Sequence, residues 1–216
     1  MRDFSKARKF MVDCQIRPSD VTRHKVIDAM LRVPREEFVP QELREISYCE
    51  KPIKLSEERF LLEPRIIAKM LDLLNIQKDE LVLDVGAGYG YSSSLLAHMA
   101  EAVVCVEERC FAPEAEKVLM ELSVDNVIVH EGKLEQGAPQ HGPYDALILQ
   151  NGVEKIPETL MDQLKVGGRL VVIFINSVMG ECCLGIKGED KIDWVFAFNA
   201  HAHCLPGFQK EVDFSL

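Results

Sequence analysis

Apolar residues recur along this chain at two spacings, and the change from one to the other divides it. Over residues 5 to 16, Ala7, Phe10, Met11 and Cys14 return at helical intervals, which predicts an amphipathic helix closed by Pro18. A second helix carries Val26, Ile27, Met30 and Leu31 on one face, with Thr22 as its expected N-cap. The block Val33-Pro-Arg-Glu-Glu-Phe-Val-Pro40 reads as a turn and short helix, with Pro34 at a permitted early position. Residues 41 to 63 hold no period and are punctuated by Pro52. A loop of that length usually covers a site. Glu63-Pro64 then opens a helix over 65 to 74, with Ile66, Ile67, Met70, Leu71 and Leu74 in one stripe.

From residue 81 short unbroken apolar runs take over, each followed by a helical stretch. Runs at 81–85, 102–106, 127–130, 144–149 and 166–174 read as strands buried on both faces. Helices are expected between them at 91–99, 113–122 and 157–164. The segments 182–186 and 194–198, around Gly188-Glu-Asp190, read as an antiparallel hairpin. The expected architecture is α/β, a Rossmann-like, mostly parallel, doubly wound sheet with one antiparallel edge strand and an N-terminal helical extension. Residues 1–76 form the extension and loop; residues 77–216 form the core, in one compact unit.

Candidate chemistry gathers where the first strand ends. After Leu81 to Val85 come Gly86, Ala87, Gly88, Tyr89 and Gly90, with Asp84 two residues before the first glycine. A ligand can touch the main chain of a strand-to-helix turn only where Cβ is missing, and the next helix aims its free N–H groups there. A dinucleotide site would want a glycine at position 91, which is Tyr, so a nicotinamide oxidoreductase finds no support. Glu107 lies nineteen residues beyond Gly88, at the tip of the second strand. A carboxylate there can accept both hydroxyls of a ribose. Its neighbour Glu108 reads as a solvated strand end.

Composition narrows the class. The chain has 216 residues, 47% hydrophobic and 28% charged, with a net charge of −10. That acidity argues against binding a phosphate backbone. The basic residues Arg2, Lys6, Arg8 and Lys9 suit a solvated helix face. The longest apolar stretch, 170 to 175, is far too short for a membrane span, and the start lacks a secretory apolar region. A cytoplasmic protein is expected. Seven cysteines at irregular spacing, with no C-x-x-C, suggest no disulfide framework. His201-Ala-His-Cys204 brings two imidazoles and a thiol close together, but no carboxylate partner is evident nearby, so no metal is expected.

The glycine turn, with its preceding acid, resembles the first motif of class I S-adenosylmethionine-dependent methyltransferases. Four stretches carry a closer resemblance: Met11-Val-Asp-Cys-Gln-Ile-Arg17, residues 28 to 40, residues 83 to 91, and Gln163-Leu-Lys-Val-Gly-Gly-Arg-Leu170. They are similar to the protein-L-isoaspartate O-methyltransferase family along nearly the whole chain, and the Val-Pro-Arg-Glu-x-Phe-Val-Pro block is the most specific of them. The resemblance implies methyl transfer from S-adenosylmethionine to the carboxylate of isoaspartyl residues in damaged proteins, or to a related acceptor. It also implies a cofactor site at Asp84, Gly86, Ala87, Gly88, Tyr89, Gly90, Glu107, Glu131, Gly132, Lys133 and Gln150.

Two departures stand against it. The family's substrate loop, Gly-x-Gly-Gln-Thr-Ile-Ser-Gln-Pro, reads here Ser56-Glu-Glu-Arg-Phe-Leu-Leu-Glu-Pro64. Phe60 replaces the Thr, Leu62 the Ser and Glu63 the Gln, so both hydroxyls are lost; Arg59 could grip a carboxylate instead. Lys133 stands where the family has an acid toward adenine, with Glu131 as a substitute, and Gln150-Asn-Gly-Val153 replaces Thr-Ala-Ala-Ala. Weak or absent isoaspartyl transfer is therefore expected. The alternative is a cofactor-binding, catalytically weak member acting as a sensing or interaction protein.

Overall fold

The structure is a computed structural model; it describes residues 3–175 and 179–210. Helix α1 (Phe4–Met11) runs on through a π-helical turn at Val12–Ile16 and a 3-10 turn at Arg17–Ser19. Pro18 thus sits inside the closing turn, and Asp20, in the left-handed region, ends it. Helix α2 (His24–Arg32) starts from Arg23 with no side-chain cap, so the expected Thr22 cap is not used. Asp72 instead accepts from the Arg23 N–H.

Residues 41 to 63 are more ordered than their lack of period suggested. A 3-10 helix spans Gln41–Ile46, and a minimal hairpin pairs β1 (Ile53–Lys54) with β2 (Phe60–Leu61). Strands of two residues give no periodicity to read. Helix α3 (Pro64–Leu74) follows, with Pro64 at its first position.

The remainder alternates as expected. It runs β3 (Leu81–Val85), α4 (Tyr91–Ala97), β4 (Ala102–Glu107), α5 (Ala112–Glu121), β5 (Val127–Glu131), β6 (Tyr144–Val153), α6 (Glu158–Asp162) and β7 (Leu164–Phe174). The terminal hairpin is β8 (Gly180–Lys187) and β9 (Ile192–Ala200). The seven strands lie in the order β5-β4-β3-β6-β7-β8-β9. The first five are parallel, and β8 is the strand that reverses.

Alternate residues of each central strand enter different cores, which is why these strands read as unbroken apolar runs. Val82, Ile148 and Val171 face the core built with α1 to α5, while Leu83, Leu147 and Leu170 face the core of α6, Leu205 and Phe208.

The block at 33–40 is what clamps the extension onto that first core. Arg35 is fully buried, donates to the carbonyls of Ser47 and Leu62 at 2.6 Å each, and lies over the Tyr91 ring. Glu36 pairs with Arg8 at 3.1 Å and accepts from the Tyr48 hydroxyl. Phe38 meets Tyr91 edge-on at 5.5 Å. Arg35→Met, which keeps the stem but strips both donors from buried carbonyls, is expected to cost about 2 kcal/mol in a denaturant titration.

Candidate functional site

Strand β3 delivers the chain to its turn at the sheet edge where parallel strands end. Gly86, Gly88 and Gly90 have φ of +82°, +64° and +93°. Such angles are closed to most side chains. The turn is held from both sides: Gly86 donates to Val106 O at 3.1 Å, and Gly90, at the N-cap of α4, donates to Ala87 O at 3.1 Å.

Asp84 lies beneath the turn, fully buried. It accepts from Ser92 Oγ at 2.6 Å, Ser93 Oγ at 2.7 Å and Gln150 Nε2 at 2.9 Å. Burial raises its carboxyl above the usual range, and these three donors oppose the rise. Asp84 and Gln150, both named from sequence as ligand residues, are thus committed to each other and brace the turn. Tyr91, where a third glycine would have stood, is fully buried against Met30, Phe38 and Arg35.

Glu107, at the end of β4, reaches back to the turn and accepts from the Gly88 N–H. It is fully buried, and burial pushes its carboxyl upward against the pull of Arg59. The sequence placed Glu107 toward a ribose; here both its oxygens are held by the chain itself. Arg59 grips the two oxygens in a fork, with Nη1 at 3.0 Å from Oε2 and Nη2 on Oε1. Nη1 also approaches Glu108 at 3.5 Å. The Arg59 side chain is 3% exposed, and its guanidinium lies over the Phe111 ring, which also meets Tyr89. Arg59 was expected to grip a substrate carboxylate, and in this structure it grips Glu107.

Two apolar side chains, which sequence reasoning missed, complete this cover. A Cβ on Gly88 would fall 2.5 Å from Leu55 Cδ1, and one on Gly86 would meet Leu205 at 3.1 Å and Arg59 Nη2 at 3.4 Å. No periodicity could have shown them, since each lies in an irregular segment far along the chain.

The other loop positions separate. Phe60 stacks on His203 at 3.7 Å, and its carbonyl accepts from Asn151 Nδ2 at 2.7 Å. Burial and neighbouring His201 hold the His203 pKa below its ordinary value. Leu62 is in the core, 1% exposed. Glu63 precedes α3 without capping it and lies 3.6 Å from Arg65. Phe60 and Leu62 therefore do not share one face toward a substrate. Beyond β4 and β5, an open cleft of about 450 Å³ is lined by Glu108, Arg109, Cys110, Glu131, Gly132 and Lys133. Gly132 is fixed there by its N–H on Glu107 O at 2.9 Å.

Comparison with known proteins places this architecture. The protein-L-isoaspartate(D-aspartate) O-methyltransferase family profile matches residues 6–181. The chain is 36% identical over 191 residues to protein-L-isoaspartate O-methyltransferase 1 of Syntrophobacter fumaroxidans, covering 88% of this chain and 89% of that one. It is 39% identical over 166 residues to the protein-L-isoaspartate O-methyltransferase of Gloeobacter violaceus, covering 75% and 80%. A solved protein-L-isoaspartate O-methyltransferase superposes with a TM-score of 0.80 at 25% identity, over 93% of this chain and 66% of that one. A putative protein-L-isoaspartate O-methyltransferase from Plasmodium falciparum, solved with S-adenosyl-L-homocysteine, shares the fold with a TM-score of 0.78 at 19% identity, over 95% and 99%. With a family profile over most of its length and relatives well above 30% identity, this chain belongs to the protein-L-isoaspartate(D-aspartate) O-methyltransferase family.

Proposed function

We propose that the protein transfers a methyl group from S-adenosylmethionine to the side-chain carboxylate of isoaspartyl residues in damaged proteins or peptides. The observation that carries this reading is Glu107: a strand-end carboxylate aimed at the Gly88 main chain, nineteen residues on. The residues present fit the cofactor. The turn from Gly86 to Gly90 offers main chain without Cβ at Gly86, Gly88 and Gly90, and Glu107 carries two acceptor oxygens that a ribose can take once Arg59 releases them. The cleft at Glu131, Gly132 and Lys133 lies at the β4 and β5 ends, where the adenine would rest.

When bound, the cofactor supplies a methyl group on a sulfonium, already activated toward an anionic nucleophile. The acceptor carboxyl is ionised at neutral pH, so the chain needs no general base. Its task is to hold the acceptor in line and keep water out. The segment fit for that task is the hairpin β1–β2, which lies over the turn through Leu55. Phe60 and Leu62 supply no hydroxyl donor, so acceptor orientation falls to main-chain groups and to Arg59 once it leaves Glu107.

A net charge of −10 speaks against nucleic-acid partners, and no helix among the described residues is long and apolar enough to cross a membrane. A cytoplasmic setting belongs to this reading, since seven free thiols suit a reducing compartment. The second reading, a cofactor-binding member with little transferase activity, is favoured by the side chains at 60 and 62. Calorimetric titration with S-adenosylhomocysteine tests the site, and tritium transfer to an isoaspartyl peptide separates the two readings.

A further inference from the structure

We infer that Arg59 is an internal competitor for the cofactor. The hairpin docks it on the carboxylate that would accept the ribose hydroxyls, so cofactor entry and hairpin docking exclude each other. The inference rests on the cofactor reading above and adds a regulatory contact to it.

The geometry leaves no room for both occupants. Each Glu107 oxygen already receives an Arg59 nitrogen, Oε1 also receives the Gly88 N–H, and Oε2 receives the Glu108 N–H at 3.0 Å. Two ribose hydroxyls cannot be added without expelling the guanidinium, because those two oxygens offer only about four acceptor directions. Leu55, from the same hairpin, occupies the space directly over Gly88, and Arg59 itself lies near Gly86. One movement of the hairpin would therefore clear both the carboxylate and the cradle.

The tip of the hairpin is the part that can move, since Ile53 and Leu61 at its base are buried in the core. The two strands have two residues each, and the tip, Ser56 to Glu58, is exposed. So short a ribbon has little stability of its own. Arg59 is also incompletely satisfied, since Nε is buried with no partner among the described residues. A buried ion pair repays its desolvation only when its hydrogen bonds are complete, which makes this one poised rather than permanent. Glu108 gives the departing guanidinium an acceptor: it already stands 3.5 Å away and its side chain is 40% exposed.

Apparent affinity for a ligand that needs the undocked state falls by the fraction of molecules undocked. If docking holds nine molecules in ten or more, its removal should tighten binding about tenfold or more. The test is calorimetric titration of the native chain and of Arg59→Gln with S-adenosylhomocysteine. Arg59→Gln is expected to bind about tenfold tighter or better. Equal or weaker binding by Arg59→Gln would overturn the latch while leaving the cofactor reading in place. No binding by either chain would overturn both. Should Arg59→Gln not fold, hydrogen exchange of the native chain decides. The Leu55 and Ser56 amides, which donate to Arg59 O at 2.8 and 3.1 Å, should exchange faster at saturating S-adenosylhomocysteine. Unchanged or slower exchange there would sink the inference.

Discussion

Gly88→Val is expected to reduce the affinity for S-adenosylhomocysteine by about a hundredfold or more, in a chain that still folds. Two effects add. At φ +64° a β-branched residue is an outlier, costing on the order of 1–3 kcal/mol even when the surroundings hold it in place. The new side chain would also enter the space over the turn, where Leu55 now lies 2.5 Å from the Cβ position. A ligand that displaces Leu55 would meet the valine instead. The backbone strain lowers stability, whereas the filled cradle lowers affinity, so a folded variant with native affinity would show that the ligand lies elsewhere.

Leu62→Ser is expected to destabilise the protein by roughly 3–5 kcal/mol, and to restore nothing at the substrate site. The transfer and cavity terms for deleting a buried leucine alone come to about 2–5 kcal/mol, and a buried hydroxyl without a partner adds to them. For a chain of this size that is a fall of about 6–20 °C in Tm. The family resemblance puts its serine at this position and its threonine at position 60. The structure turns Leu62 into the core, where its carbonyl holds Arg35. A stable Leu62→Ser variant with raised methyl transfer would contradict that placement.

What could be read from the sequence was what repeats. The central strands β3, β4 and β6 announced themselves as apolar runs because both of their faces are buried, and α3 because its stripe has a helical period. Strand β5, expected to be buried likewise, lies at the sheet edge and is only partly covered. Glycines at 86, 88 and 90 and the acid at 107 were visible because the backbone conformation and the strand end each demand a residue type. The roles of Asp84 and Gln150 were not, since a carboxylate bracing serines looks the same in sequence as one facing a ligand. The hairpin was lost because two-residue strands have no period. Arg59 stands out in sequence for its chemistry, but its pairing with Glu107 joins residues 48 apart, a distance that no local pattern records. The Val-Pro-Arg-Glu-x-Phe-Val-Pro block was recognised as specific, yet only packing shows that its arginine is a core strut.

The central claim is methyl transfer to isoaspartyl carboxylates, and the most direct measurement is a paired assay. The protein is incubated with methyl-tritiated S-adenosylmethionine and either an isoaspartyl peptide or its normal aspartyl counterpart. Base-labile label on the isoaspartyl peptide alone is the predicted result, at a slow rate while Arg59 holds Glu107. A chain saturated with cofactor that leaves the isoaspartyl peptide unlabelled, or labels both peptides equally, would contradict it.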